Sequence, residues 1–189
     1  MNLKPKVYNY RSKSIRGLPE GGIKERSRMI QWVLVVNRQG KVRLSKWYQH
    51  VGAKDRRKVE REVQNKVVNQ PSSARRCNFV NVGDELAVFR RYASLYFVVC
   101  IDSDENELLV LEQIHFFVQA LDLHFHNVCE LDLIFNFDKA YQILDEVFMG
   151  GEMQETSVRR VVRVVAEQDT IENEESESFM QKWGIPSFW

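Results

Sequence analysis

With 189 residues, 44% of them apolar, the chain can build one compact domain with tails and is not a disordered protein as a whole. Four prolines and nine glycines are few for a turn-rich β-sandwich and favour a helix-rich or mixed α/β fold. The net charge of +1 conceals an asymmetry, because residues 1–28 carry Lys4, Lys6, Arg11, Lys13, Arg16, Lys24, Arg26 and Arg28 against only Glu20 and Glu25.

That stretch, with Gly17, Pro19 and the pair Gly21 and Gly22, reads as a flexible basic arm on a mildly acidic body. It has no hydrophobic segment behind its charges, so it is not expected to be a secretory signal. Met29, opening a well-patterned region, suggests an internal start. The odd set Cys77, Cys100 and Cys129, each among apolar neighbours, is expected to act as small buried hydrophobes in a reducing compartment, the cytosol. The longest apolar run, residues 93–101, is too short to cross a bilayer.

Residues 30–36 form a nearly continuous apolar, β-branched run, as expected of a strand covered on both faces. Asn37 to Gly40 reads as a turn, with residues 41–47 as the hairpin partner. Residues 54–68 predict a helix in which Val59, Val63 and Val67 make a narrow buried stripe. Its Lys54, Arg56, Arg57, Lys58 and Arg61 are interleaved with Asp55, Glu60 and Glu62, which indicates a solvated face and argues against a nucleic-acid surface. Pro71 breaks that helix, and strands are expected at 77–82, 85–92 and 94–102.

Asp104 with Glu107 offers a capping box for the next helix, whose Leu111, Ile114, Phe117, Val118, Leu121 and Phe125 recur at three- and four-residue steps to about Asn127. Residues 127–147 read as a second helix closed by Gly150 and Gly151. Within it Asp132 lies between leucines and Asn136 between phenylalanines, which marks a segment that is both core and working surface. A third helix carries Val158, Val161, Val162 and Val165. Residues 167–177 hold six acids and no base, so 167–189 is expected to be an acidic tail without regular structure and with an aromatic end. The predicted order is β-β-α-β-β-β-α-α-α: an α+β domain over 29–166, with helices able to cover both sheet faces.

Chemistry is hard to place on this pattern. His124 and His126, two apart on a helix, do not face the same way, and no Cys or Glu partner stands at metal spacing. No glycine-rich phosphate loop or nucleophile elbow is present. The reading is of a protein that is not an enzyme and needs no cofactor.

Several long, ordered stretches nevertheless resemble one family: 37–48 (Asn-Arg-Gln-Gly-Lys-Val-Arg-Leu-Ser-Lys-Trp-Tyr), 90–97 (Arg-Arg-Tyr-Ala-Ser-Leu-Tyr-Phe), 106–108, Ile114 with His115, 127–141, 143–146 and 151–157. Together they span most of 29–177 and resemble the small (sigma) chain of the clathrin adaptor complexes. Residues 149–157 and the acidic tail resemble the trans-Golgi and endosomal type more than the endocytic one. The resemblance implies a longin-like α/β fold, a five-stranded antiparallel sheet with helices on both faces.

It also implies partners and a site. The partners are two large adaptor chains and one medium chain, cargo tails carrying an acidic dileucine signal, and indirectly clathrin, a small GTPase and a phosphoinositide membrane. No nucleic acid is expected. The leucine pocket would be lined by Ala93, Leu95, Val118, Val128 and Leu133, with Asn127 at its polar edge and Arg43 near the cargo acid. On that reading Val118→Asp abolishes cargo binding without unfolding the complex. The implied location is the cytoplasmic face of trans-Golgi, endosomal and coated-vesicle membranes. A small chain of the endocytic type, and a free-standing longin module that regulates a small GTPase or SNARE, are the alternatives.

Overall fold

Strand β1 (Ile30–Asn37) is the spine of the sheet, pairing antiparallel with β2 (Val42–Trp47) on one edge and with β5 (Leu95–Ile101) on the other. The computed structural model describes residues 30–69, 77–83, 85–102 and 105–183. The turn from β1 to β2 is built by Asn37, whose Oδ1 accepts the backbone N–H of Gln39 and of Lys41, both at 2.9 Å. Gly40 takes the left-handed conformation there (φ +77°), and a side chain on it would collide with Gln64. Only glycine suits that position.

Helix α1 (Ala53–Val63) runs on into a π-helical turn over Gln64–Val68. Strands β3 (Phe79–Val82), β4 (Glu85–Tyr92) and β5 then form an antiparallel meander, and β5 returns beside β1. The strand order is β2-β1-β5-β4-β3. Helices α2 (Glu107–Phe125), α3 (Glu130–Phe135) and α4 (Phe137–Val147) follow, then a small hairpin of β6 (Phe148–Met149) and β7 (Glu152–Met153), and helix α5 (Val158–Trp183).

Both faces of the sheet are covered, which is why the strands lack a polar side. Val33, Val35, Leu95, Phe97 and Val99 face a core completed by Ile114, Phe117 and Leu121 of α2, Ile143 and Leu144 of α4, and Val161 and Val165 of α5. Trp32, Leu34, Val36, Val98 and Cys100 face the other way, onto Val63 and Val67, with Val59 packed alongside. The valine stripe expected on α1 is therefore the whole of that helix's buried side. A register shift between Ile30 and Trp32 returns Ile30 to the first core despite its even number. Phe117 lies at the centre, edge-on to Phe97 and to Phe148, with ring centroids 5.9 and 6.2 Å away.

Several expectations are corrected. The helix foreseen over 127–147 is two helices, because Asn136 (φ −119°, ψ 45°) leaves the helical region between α3 and α4. Gly150 and Gly151 do not stop a helix; they turn the β6–β7 hairpin, and Gly151 O accepts the N–H of Ile30 at 2.9 Å. The acidic stretch from 167 does not lack regular structure, since α5 continues through it to Trp183. Lys139 of α4 explains part of this: it pairs with Asp169 and, at 3.3 Å, with Glu172, so acids counted as unmatched have a base from another helix.

Asn106 caps α2, its Oδ1 accepting the N–H of Leu108 at 3.0 Å, while Asp104, expected in that role, lies outside the described residues. Of the three cysteines only Cys100 is buried; Cys77 and Cys129 are exposed. By length and composition α2 is apolar enough to cross a membrane, although polar residues interrupt its apolar ones. Its Val110, Ile114, Phe117, Val118 and Leu121 are buried against the sheet, so it serves here as the core helix. The arm at 1–28, the loop at 70–76 and the aromatic end beyond 183 lie outside the described residues.

Candidate functional site

Four pieces of chain supply the residues singled out in the sequence: strand β2 with Arg43, the tight turn from β4 to β5 with Ala93 and Leu95, the buried side of α2 with Val118, and the passage from α2 to α3 with Asn127, Val128 and Leu133. Each has a local reason for its shape. Ala93 adopts a left-handed backbone (φ 48°), and its carbonyl accepts from Arg38 Nη2 at 3.2 Å and from Arg91 Nε at 3.1 Å. Those two guanidinium contacts hold a conformation that costs a non-glycine residue roughly 1–2 kcal/mol.

Helix α2 ends at His126 and Asn127, both left-handed (φ 56° and 82°). Asp122 secures the exit, with its Oδ1 accepting the N–H of Val128 at 2.9 Å while its carbonyl accepts the N–H of Asn127 at 3.2 Å. Asp132 secures the entry to α3, its Oδ2 accepting the N–H of Cys129 at 2.8 Å. The polar residue set between two leucines is thus a helix-start acceptor. Next to it Tyr141 clasps the edge strand: its hydroxyl accepts the N–H of Ser45 and donates to the Ser45 carbonyl, both at 3.0 Å.

Leu95, Val118 and Leu133 come together in one core cluster, and Val128 packs on its margin. They are deeper than a ready-made pocket requires: Leu95 and Val118 are 2% exposed and Leu133 1%. Ala93 and Asn127 are exposed, and Val128 is half-buried. Of these six, only Ala93, Asn127 and Val128 present surface to solvent, and Leu95, Val118 and Leu133 are closed off. This changes one expectation. An aspartate at Val118 would be a buried, unpartnered charge, so Val118→Asp attacks the fold and is no clean test of binding.

Arg43 is half-buried and already engaged. Its Nε and Nη2 donate to Oε1 of Glu130 at 2.9 and 2.5 Å, and Asn37 Nδ2 donates to the same oxygen at 2.9 Å. Hydrogen bonds from Asn37 first, and from Arg43 next, hold the Glu130 carboxyl below the usual carboxylate range. Sequence reasoning missed both Glu130 and Asn37 as members of this group. They stand far apart in the chain, and nothing in the local pattern of either segment points to the other.

Two of the four histidines have structural occupations: His115 shares a hydrogen bond with the Tyr92 hydroxyl at 3.0 Å and contacts Gln119, while His124 packs edge-on against Phe125. On the opposite side of the sheet, Glu85 accepts from Trp32 Nε1 at 3.2 Å and from Cys100 Sγ at 3.0 Å. Burial and that carboxylate push the Cys100 thiol well above its ordinary range, so it is a poor nucleophile.

Comparison with known proteins agrees with this architecture. The chain is 54% identical over 140 residues to the AP-1 complex subunit sigma-2 of Dictyostelium discoideum, covering 74% of this chain and 90% of that one. It is 43% identical over 159 residues to the human AP-1 complex subunit sigma-1A, covering 83% and 99%. Its fold superposes with a TM-score of 0.62 and 30% identity on a chain of a homology model of the full-length AP-3 complex in a stretched open conformation, covering 79% of this chain and 99% of that one. The model of the family described as "Clathrin adaptor complex small chain" matches residues 29–172, and the protein belongs to that family.

Proposed function

We propose that the chain is the small subunit of a heterotetrameric clathrin adaptor complex, assembled with two large chains and a medium chain, and that it binds acidic dileucine sorting signals in cargo tails. The observation that carries the cargo reading is the placement of Arg43 beside α3, the helix whose approach carries Val128 and whose interior side carries Leu133. An acid and an apolar pair a few residues apart on an extended tail match a cation and an apolar seam held at one edge of the domain. Identity is higher to the AP-1 subunits than to the AP-3 chain, which supports an AP-1-type complex over an AP-3-type one, in keeping with the trans-Golgi or endosomal type that the sequence resembles.

Magnitudes assign the roles. Burying a leucine side chain fully gives roughly 1.5–3 kcal/mol, and a solvent-exposed ion pair about 0–1 kcal/mol. The apolar contacts set affinity, and Arg43 sets preference and register. Two such anchors bind weakly on their own, so sorting relies on several contacts made at one membrane surface.

Val128→Asp is the substitution that tests this. Val128 is half-buried at the mouth, so its replacement can turn a carboxylate toward water while placing charge where a leucine would pack. In the assembled complex, binding of an acidic dileucine peptide should fall about tenfold or more, with thermal stability little changed. Undiminished binding by the intact variant complex would remove the site from this face.

A further inference from the structure

Resting on the cargo reading above, we propose that Glu130 is a built-in occupant of the acid-binding arginine. The cargo acid has to compete with Glu130 for Arg43, and Glu130 thereby limits how strongly the site favours acidic signals.

Three observations carry this. Glu130 Oε1 accepts from Arg43 Nε and Nη2 and from Asn37 Nδ2, so one carboxylate oxygen already satisfies the face of the guanidinium that points toward α3. Asn37 is itself fixed: it is nearly fully buried, and its Oδ1 is committed to the N–H groups of Gln39 and Lys41. The cradle is therefore preformed for a carboxylate. Lastly, Glu130 opens α3, between Val128 and Leu133, so the group that holds Arg43 and the groups that close over the apolar seam belong to one short helix and the residues that lead into it.

Electrostatics gives the direction. With Glu130 in place, an incoming carboxylate meets a neutralised pair and a like charge a few ångströms away, where a free Arg43 would present a full positive charge. Glu130 takes the Nε–H and one Nη2–H of Arg43. The cargo acid therefore either displaces Glu130 or pairs with the remaining guanidinium N–H groups against its like charge. Either way Glu130 lowers the gain from an acid. Because Glu130 is the first residue of α3, its release also frees one of the ties that keep Leu133 and Val128 seated. Acid recognition and access to the leucine site are then linked through the same residue.

The test uses the assembled adaptor complex and three synthetic peptides: an acidic dileucine signal, the same peptide with glutamine for the acid, and a dialanine control. Glu130→Gln should bind the acidic peptide about three- to tenfold more tightly than the wild type, in the range of one charge-assisted contact. Its affinity for the glutamine peptide should change much less, and the gain should shrink as salt is raised. In an Arg43→Gln background the same Glu130→Gln change should produce no gain, which a general loosening of α3 would not predict.

If Glu130→Gln binds the acidic peptide no better, or less well, while the wild type binds it over the dialanine control, Glu130 merely positions Arg43 and the proposal fails alone. A wild-type complex that does not separate dileucine from dialanine overturns the cargo reading, and this proposal with it. Glu130→Asp covers the case in which the glutamine variant does not assemble. Its shorter reach should weaken the hold on Arg43 and shift binding in the same direction by less; equal or weaker binding by that variant overturns the proposal.

Discussion

Glu130 illustrates how one side chain couples stability, pH and recognition. Asn37 and Arg43 keep its folded pKa below the ordinary value of 4.5, and Lys41 adds to the field. A depressed carboxylate stabilises the fold at pH values above its unfolded pKa, and that contribution disappears as pH falls through the folded pKa. Unfolding measured from neutrality to below about pH 4.5 should therefore be steeper for the wild type than for Glu130→Gln, which has no proton to take up. Equal slopes would mean that Glu130 meets the same surroundings folded and unfolded. Glu62 should add a parallel acid-sensitive step at the other side of the sheet, since Lys66 and the Gly83 N–H hold its carboxyl low. Val118 makes the contrasting case. Val118→Asp should destabilise the isolated fold by about 3–5 kcal/mol, the scale of an uncompensated buried charge, visible as a lowered urea midpoint. The family resemblance implies a pocket wall there, and the three- and four-residue spacing in α2 supports a core position equally well.

At the scale of elements, the strands and α2 were legible because their signals are local: β-branched runs for a doubly covered sheet, and a stripe at helical spacing for α2. The turn from β1 to β2 was legible for the same reason, since Asn37 and Gly40 build it within one hairpin. What was not legible depends on partners distant in sequence. The break at Asn136 carries no glycine or proline, and α4 is held by Tyr141 clasping Ser45 on the edge strand. Helix α5 was read as ending before its acids because an acidic run without bases repels itself; the compensating lysine lies on α4. Lys139 is held above its usual range by Asp169, with Glu172 adding to it, so the charge it shares with α5 is present throughout the neutral range. Lys139→Ala should lower global stability by no more than about 1 kcal/mol, yet speed amide hydrogen exchange along α5 from residue 167 onward. Exchange unchanged there would show that α5 holds its distal turns without α4.

For the whole molecule, the apolar surface left uncovered is not evenly spread. Phe135 and Phe137 are 74% and 58% exposed and flank the break at Asn136, with Leu131 and Ile134 on the same short stretch. Isolated exposed apolar residues are ordinary, but a contiguous group beside a defined edge of the sheet is the usual mark of an interface. In the proposed assembly a large chain covers this group, and the half of 127–147 that looked too apolar for a surface helix is apolar on that partner's account. The two phenylalanines contribute little to the domain's own core, so changing them separates assembly from folding. Phe135→Asp combined with Phe137→Asp should leave the chain's circular dichroism and melting behaviour close to wild type. Recovery of the large and medium chains on co-expression should fall at least about tenfold, since buried aromatic anchors carry a large share of interface energy. Full recovery at equal stoichiometry would place the interface elsewhere and leave the exposed face of α3 to the cargo site alone.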